Sequence, residues 1–160
     1  MSHYDPDNFE SQKSLGYLLK INHSLIHDCG ERLFSTHDIS FIQWLTLFKL
    51  NEGKALTASD LCRRMMHDNG ALTRLLDQLE ERGLLVRERS TQDRRVVNLL
   101  ITDSGRQKVK ELTPLVVNNL NMALETFSSD EFLELIRLLE KLKDSLQCYN
   151  STQAEADQAN

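Results

Sequence analysis

The spacing of apolar residues changes abruptly at Gly83. Before this glycine, apolar residues recur at three- and four-residue intervals, as they do on one face of an α-helix. After it, Leu85–Arg89 and Arg95–Ile101 are rich in β-forming residues and are separated by a polar segment, which predicts a β-hairpin. A two-stranded hairpin is not stable alone in water and must pack against neighbouring helices. The sequence therefore predicts a mainly α-helical fold with one small β-hairpin.

The composition is that of one soluble globular domain. With 160 residues, of which 40% are apolar, the chain is long enough to bury a real core. Two prolines and six glycines are few for a turn-rich β-sandwich. No apolar run approaches the roughly 18 residues of a membrane-spanning helix, and the polar N-terminus is unlike a secretory signal. Three cysteines without a CxxC pair favour a reducing compartment, so we expect a cytoplasmic protein with no membrane partner.

Two short helices precede the hairpin. The first is interrupted at His67–Asn69, and the second is amphipathic over about Asn69–Arg82 and is closed by Gly83. Two short helices joined by a tight turn are typical of a helix-turn-helix. Together with the hairpin they predict a winged helix over about residues 40–101.

Three residue pairs mark the starts of helices. In each pair the hydroxyl of the first residue can accept a hydrogen bond from the backbone of the second, whose side chain reaches back. The pairs are Ser40 with Gln43, Thr57 with Asp60, and Ser128 with Glu131.

Long amphipathic helices flank the winged helix, one over about residues 9–33 and two within 103–148. Their apolar stripes are wider than a small core needs, which predicts that they pair with the same helices of a second copy in a homodimer. Residues 1–8 are predicted to be a flexible N-terminus and residues 150–160 a disordered tail, leaving one domain over 9–149.

Charge is distributed unevenly along the chain. The net charge is −5 and the isoelectric point is near 5.5. Between Lys54 and Lys110, however, 12 Lys and Arg stand against 8 Asp and Glu, whereas the rest of the chain has 7 against 16. A basic middle between acidic flanks indicates a local surface for an anionic partner.

One face of the helix over Asn69–Arg82 is apolar, because its leucines fall at helical spacing, and the opposite face is polar. A helix that enters the major groove of DNA by its N-terminal end places such polar residues at base edges. We expect DNA contacts from Asn69, Gly70, Ala71, Thr73, Arg74 and Gln78. The guanidinium of Arg74 can donate two hydrogen bonds to one guanine. The alternative is an ordinary solvated helix arginine.

The stretch from Ile39 to Gly105 resembles the MarR family of bacterial transcription regulators. The matching residues are Gln43-Trp44, the run Leu75–Leu84 that ends the second short helix, Asp93-Arg94-Arg95 in the hairpin loop, and Thr102 with Gly105. The same order of elements extends over about residues 15–146. The resemblance implies a dimeric winged-helix protein that binds double-stranded DNA at a pseudo-palindromic operator, with half-sites about one helical turn apart.

The hairpin is rich in arginine, the side chain best suited to insertion into a narrow minor groove. Five arginines lie within Arg82–Arg95 against Glu88 and Asp93. The resemblance implies that Arg95 reaches the minor groove while Asp93 holds it in place. Arg94 is expected to contact phosphate, as is Arg63 on the first short helix. The alternative is a charged hairpin that only keeps the surface soluble.

The resemblance also implies a small phenolic or aromatic carboxylate effector, bound between the dimerisation helices and the winged helix. Binding would favour a spacing of the two winged helices that does not match the DNA, so that a repressor is released. The side chains proposed to line this cleft are Tyr17, Lys20, His23, Trp44 and Phe48. Ordinary core or surface packing is the alternative for each of them.

Other functions find less support in the sequence. No motif of catalysis, cofactor binding or a metal centre occurs, so we expect neither an enzyme nor a bound cofactor or metal. Family members that sense oxidants use a cysteine near the start of the first helix, where this chain has Gly16. A cysteine sensor using Cys29 and a winged-helix module that binds protein instead of DNA remain as alternatives, and His23 with His27 has a spacing that can share a metal.

Overall fold

Helices dominate the computed structural model, which describes residues 3–53, 56–65, 69–91, 93 and 95–158. Within these ranges six α-helices and three short strands follow one another. They are α1 (Leu15–Phe34), α2 (Phe41–Glu52), β1 (Leu56–Thr57), α3 (Ala58–Met65), α4 (Asn69–Glu81), β2 (Leu85–Arg89), β3 (Val97–Ile101), α5 (Asp103–Ala123) and α6 (Ser129–Gln158). The predicted class, a mainly helical chain with a winged helix-turn-helix, is confirmed.

The first helix begins at Leu15, six residues later than predicted, and two 3₁₀ turns (Pro6–Asn8 and Ser11–Lys13) precede it. Ser14 is its cap, because the Ser14 hydroxyl accepts a hydrogen bond from the Tyr17 backbone N–H at 3.3 Å. The prediction of a helix from about Phe9 relied on apolar spacing alone and overlooked this cap.

The other predicted helix boundaries in the winged helix are close to those observed. Ser40 and Gln43 form a complete capping box at the start of α2. At the end of α4, Gly83 has a φ of 66°. The Gly83 N–H donates to the Glu80 carbonyl and the Leu84 N–H donates to the Leu79 carbonyl, which is the Schellman arrangement that favours glycine.

The sheet contains a strand that the sequence analysis missed. β1 pairs antiparallel with β3, so the strand order is β1-β3-β2, with Leu56 opposite Leu99 and Leu85 opposite Ile101. A strand of two residues is too short to produce an alternating pattern, which is why the sequence did not reveal it. β1 joins the start of the helix-turn-helix directly to the hairpin that forms the wing.

The core of the winged helix is built by leucines from every element around it. Leu72, Leu76 and Leu79 of α4 are between 0 and 2% exposed, which confirms the predicted buried face of this helix. They pack in one cluster with Leu47 of α2 and Leu99 of β3. The core thus sets which face of α4 points outward.

Backbone contacts divide the chain into two compact units, with the division between Asn119 and Leu120. The prediction of one domain over 9–149 stays a prediction. In the second unit α6 continues to Gln158, so the predicted disordered tail from residue 150 is wrong over the described residues. Ala, Gln and Glu are good helix formers, and no glycine or proline follows Pro114, so nothing in the sequence ends this helix earlier. No helix in the described ranges is long and apolar enough to cross a membrane.

The packing of α5 against the segment between α4 and β2 and against the end of β3 leads to a stability prediction. A Cβ atom at Gly105 would overlap the Leu84 carbonyl oxygen and lie 2.7 Å from the Ile101 side chain. We expect Gly105→Ala to lower the free energy of unfolding by about 2–3 kcal/mol. Gly16 is also in the first turn of a helix, but a Cβ atom there would have no neighbour within 4 Å, so Gly16→Ala should leave stability unchanged or raise it slightly. Urea titrations compare the two, and equal effects would contradict this packing.

Candidate nucleic-acid interface

The outward face of α4 carries five of the ten residues predicted to contact DNA. Gly70, Ala71, Thr73, Arg74 and Gln78 are positioned opposite the buried leucines, on the side of the helix that faces solvent. Asn69 begins the helix, and its side chain lies outside the described part of the structure. The structure therefore brings five of these six side-chain positions to one surface, which we call the α4 face. Their contact with DNA stays a prediction.

On one side, the α4 face is linked to the start of α2 by two side-chain amides. The Ser40 backbone N–H donates to Gln43 Oε1 at 3.0 Å, and Gln43 Nε2 donates to Gln78 Oε1 at 2.9 Å. The sequence predicted only the first of these bonds, as part of a capping box. The second joins residues 35 positions apart, and no local pattern could have revealed it.

The end of α4 is held by Asp38, in the loop between α1 and α2. The Asp38 carboxylate pairs with Arg82 at 2.8 Å and with Lys108 of α5 at 2.9 Å. The hydrogen bond from Lys108 lowers the pKa of Asp38, and the positive charges of Lys108 and Arg82 add to this effect against the opposing effect of burial. Arg82 was counted among the wing arginines in the sequence, but it is engaged in this pair.

On its other side, α4 is held to the wing by Arg87 of β2. The Arg87 guanidinium pairs with Asp77 at 2.7 Å and with Glu80, and the Arg87 backbone N–H donates to Glu80 Oε1 at 3.2 Å. Burial tends to lower the pKa of Arg87, but the hydrogen bonds to Asp77 and Glu80 outweigh it and the pKa is raised. Arg87 thus fixes the wing and neutralises acidic side chains of α4.

The loop of the hairpin is ordered by Asp93. The Asp93 Oδ1 atom accepts a hydrogen bond from the Arg95 backbone N–H at 2.9 Å, and the Asp93 N–H donates to the Ser90 hydroxyl at 3.3 Å. The Asp93 carboxylate thus fixes the backbone from which the exposed Arg95 side chain extends. Contact of Arg95 with a minor groove stays a prediction. Arg94 lies outside the described residues.

Ion pairing separates the arginines of the winged helix into two groups. Arg63, Arg82 and Arg87 are paired with carboxylates; Arg63 contacts Asp60 at 2.6 Å, although its side chain is 78% exposed. Arg74, Arg89 and Arg95 form no ion pair with any residue that the structure describes. The unpaired group consists of one arginine on the α4 face and two on the hairpin.

The pair formed by Arg63 involves a helix cap. The Asp60 carboxylate accepts hydrogen bonds from the Thr57 hydroxyl at 2.8 Å and from the Thr57 backbone N–H at 3.1 Å. These two bonds, together with the nearby Arg63, lower the pKa of Asp60. Arg63 is accordingly part of the α3 start, and a role at phosphate remains a prediction.

The five residues predicted to line an effector cleft fall into two sets. Trp44 and Phe48 belong to an aromatic cluster, with ring centroids 5.2 Å apart, and Trp44 is 5% exposed. Tyr17, Lys20 and His23 lie on the exposed N-terminal half of α1. None of the described contacts joins the two sets, so the structure of one chain does not bring this cleft together.

The aromatic cluster contains an unusual polar atom. Trp44 Nε1 is buried and has no hydrogen-bond partner among the described residues. Phe34 and Phe41 surround the indole, with ring centroids 5.8 and 5.9 Å away. A buried donor without an acceptor is costly, so this N–H is a natural place for an acceptor atom of a ligand.

A separate cavity of about 360 Å³ lies between the end of α2 and the sheet. Asn51, Val86 and Arg106 are among the residues that line it, and none of the five predicted effector residues does. None of the described residues that line it has a buried side-chain polar atom without a partner, as Trp44 has.

The described cysteines and histidines form no metal centre. No group of three His, Cys, Asp or Glu side chains in the described ranges is arranged to hold a metal ion. His27 contacts Glu31 at 3.8 Å, and His67 lies outside the described residues. Cys29 is partly buried and accepts a 3.5 Å contact from Arg32 Nη2, which leaves the cysteine-sensor alternative untested.

The helix pair α3–α4, the three-stranded sheet and the arginine-bearing hairpin define a winged-helix protein. The MarR family model matches residues 39–97. The HTH-type transcriptional regulator TtmR of Methylorubrum extorquens is 31% identical over 105 residues, which are 64% of this chain and 51% of TtmR. The chain thus spans about half the length of that relative. The chain therefore contains a winged-helix region over residues 39–97 that matches the MarR family model.

Two solved structures have the same fold over most of their length. A mutant MarR from E. coli, complexed with operator DNA, is 26% identical with a TM-score of 0.73, covering 87% of this chain and 99% of that one. Bordetella bronchiseptica BpsR, whose DNA binding is regulated by 6-hydroxynicotinic acid, is 20% identical with a TM-score of 0.75, covering 85% of this chain and 97% of that one.

The link between the wing and α4 yields a second stability prediction. Arg87→Met keeps the length of the side chain but leaves Asp77 and Glu80 without their cation, so the free energy of unfolding should fall by about 1 kcal/mol. In an Asp77→Asn, Glu80→Gln background the same substitution should cost much less, because no carboxylate remains to be paired. Arg137→Met removes an exposed pair with Glu134 on α6 and serves as the control without an effect. Identical losses in both backgrounds would show that Arg87 acts by packing instead.

Proposed function

We propose that this protein is a homodimeric, DNA-binding transcriptional repressor that a small aromatic effector releases from its operator. The observation that carries the proposal is the placement of the three unpaired arginines, Arg74, Arg89 and Arg95, on the α4 face and the wing of a winged helix. The match of residues 39–97 to the MarR family model supports it, as does the operator complex of the E. coli relative.

In the proposed complex α4 lies in the major groove and the wing reaches the adjacent minor groove. Gly70 and Ala71 allow the backbone to approach the DNA closely, and Thr73 can contact a phosphate or a thymine methyl group. Arg74 pairs with guanine through two hydrogen bonds. Arg95 enters the minor groove, where the electrostatic potential is most negative in A·T tracts. Asn69, Arg63 and Arg94 supply phosphate contacts.

Local neutralisation makes this surface suitable for a polyanion. Asp77 and Glu80 lie on α4 and would repel phosphates, but both are paired with Arg87. Exposed charges more than about 8 Å away are largely screened at physiological ionic strength. The charges near the DNA therefore matter more than the net charge of −5.

Exposed apolar side chains support the homodimer. Leu25 and Ile26 of α1 are each 55% exposed, and Leu133 of α6 is 64% exposed. Large apolar residues recur along both helices at helical spacing, as the sequence analysis predicted. A second copy would bury them, and its two-fold symmetry would present two winged helices to the two halves of a palindrome.

The proposed effector is an aromatic acid that binds at the cluster around Trp44. The unpartnered Trp44 N–H can donate to a carboxylate or phenolic oxygen, and Phe48 supplies an aromatic wall. Tyr17, Lys20 and His23 lie on α1 and reach such a ligand only through a change in arrangement or from a second copy. The regulation of BpsR by 6-hydroxynicotinic acid is the precedent for this class of ligand.

The DNA proposal predicts different effects for the two arginines. Selection of bound DNA from a random library should yield a palindromic site, on which Arg74→Ala loses about 1–3 kcal/mol of discrimination at one base pair of each half-site. Arg95→Ala should weaken binding to all sequences and lower the log–log salt slope by about 2 per dimer, one phosphate equivalent per subunit. Lys13→Ala also removes one positive charge, but outside the winged helix. It should change neither the base discrimination nor the salt slope. If the Arg74→Ala, Arg95→Ala double variant binds DNA as the wild type does, this surface is ruled out. Light scattering of the complex measures how many protein chains bind one operator.

The effector proposal can be followed through Trp44, the single tryptophan of the chain. Hydroxybenzoates or 6-hydroxynicotinic acid should change its fluorescence at the concentrations that release DNA. Trp44→Phe keeps the aromatic packing but removes the N–H donor, so roughly fivefold more effector should be needed, as expected for one lost hydrogen bond. Phe127→Leu, which alters an exposed aromatic residue of the second unit, is the control. Release of DNA without any fluorescence change would place the effector elsewhere.

A further inference from the structure

The chain of amides from Ser40 to Gln78 has a fixed direction. A backbone N–H can only donate a hydrogen bond, so the Gln43 atom that contacts the Ser40 N–H must be the carbonyl oxygen. The amide nitrogen of Gln43 is therefore the end that faces Gln78. Because that nitrogen can only donate, the Gln78 atom that meets it must in turn be the oxygen Oε1, at 2.9 Å.

The same logic determines what Gln78 offers to the solvent. Its oxygen is turned towards Gln43, and Nε2 is the end of the amide without a partner among the described residues. Gln78 lies four residues after Arg74, one helical turn further along the α4 face. The surface that we propose to face DNA therefore presents a hydrogen-bond donor at this position.

We propose that Gln78 contacts a base as a hydrogen-bond donor and that Gln43, without touching DNA, is the positioning residue that sets this polarity. The inference rests on the proposed DNA-binding function and extends it to a specific base preference. A glutamine that pairs with adenine needs both its oxygen and its nitrogen at the base edge. With the oxygen held by Gln43, that two-point contact is not presented.

A lone donor distinguishes the bases by their acceptors. In the major groove guanine offers two acceptors, N7 and O6, whereas cytosine offers only the N4 amino group, which is itself a donor. Gln78 should therefore favour a G·C pair whose guanine faces it and should disfavour the reversed pair. We expect roughly a tenfold preference, within the range of a good base contact.

One substitution reverses the direction of the chain while keeping the helix cap. In Gln43→Glu, one carboxylate oxygen still accepts from the Ser40 N–H, since Glu is as suitable as Gln at this position of a capping box. The other oxygen can only accept, so it must meet Nε2 of Gln78, whose amide turns over and presents Oε1 outward. The preference should then move from guanine to a base with an amino group, cytosine or adenine.

The experiment determines the base preference at every operator position for the wild-type chain and for each variant. Relative preferences among the four bases are compared within one protein, so the added negative charge of Gln43→Glu, which affects all sequences alike, cancels. Gln78→Glu also presents an oxygen outward and should shift the same position in the same direction. Gln78→Met removes the polar end and should abolish the preference there. Thermal unfolding shows that each variant is folded.

The outcomes separate this inference from the function on which it rests. If the wild-type protein selects no DNA sequence, the proposed function fails and the inference fails with it. If the wild-type protein selects an operator but Gln43→Glu alters no position, Gln43 does not set the polarity and the inference alone is overturned. If Gln43→Glu destabilises the fold, Gln78→Glu decides instead: a preference for guanine that persists in Gln78→Glu also overturns the inference. The expected result is that Gln43→Glu shifts the base preference at least tenfold towards cytosine or adenine. The shift should occur at the single position that Gln78→Met also affects.

Discussion

The ion pairs of Arg87 with Asp77 and Glu80 determine how the wing lies relative to α4. A hairpin of two five-residue strands is only marginally stable by itself, and β1 adds just a two-residue edge strand to the sheet. The guanidinium joins the middle of β2 to two successive turns of the helix. Because it pairs with carboxylates that would otherwise repel DNA, the same contact both positions the wing and removes negative charge from the proposed interface.

The opposite side of α4 is held by the segment that leads into α2. Asp38 pairs with Arg82, just after the end of α4, and with Lys108 of α5, while Gln43 reaches Gln78 from the first turn of α2. The helix proposed to lie in the major groove is thus fixed on both flanks by polar contacts and beneath by leucines. A change in the position of α5 or of the start of α2 would act directly on α4. This is a physical route by which the proposed effector near Trp44 of α2 would alter the proposed DNA binding.

The parts of this fold that the sequence predicted are those encoded by local patterns. The capping boxes, the leucine stripe of α4 and the stop at Gly83 each depend on residues within a few positions, and all three are observed. The start of α1, the strand β1 and the length of α6 depended on weaker local signals. The candidate site was harder, because the sequence could count arginines but could not tell which of them, like Arg82 and Arg87, have carboxylate partners brought close only by the fold.

The charge count of the sequence and the electrostatics of the folded surface differ for this reason. Residues 54–110 carry a formal excess of four positive charges, yet Arg63, Arg82, Arg87 and Lys108 are all engaged with carboxylates. Engaged cations contribute little to the potential outside the protein, and so do the carboxylates they pair with. Among the described residues of the winged helix, Arg74, Arg89 and Arg95 are the arginines that then contribute most to this field. The acidic residues there that form no ion pair, Glu81, Glu88 and Asp93, oppose them. In the proposed complex the three arginines concentrate the attraction for DNA on one surface of an acidic protein. Contacts to base edges, not this attraction, then supply the specificity.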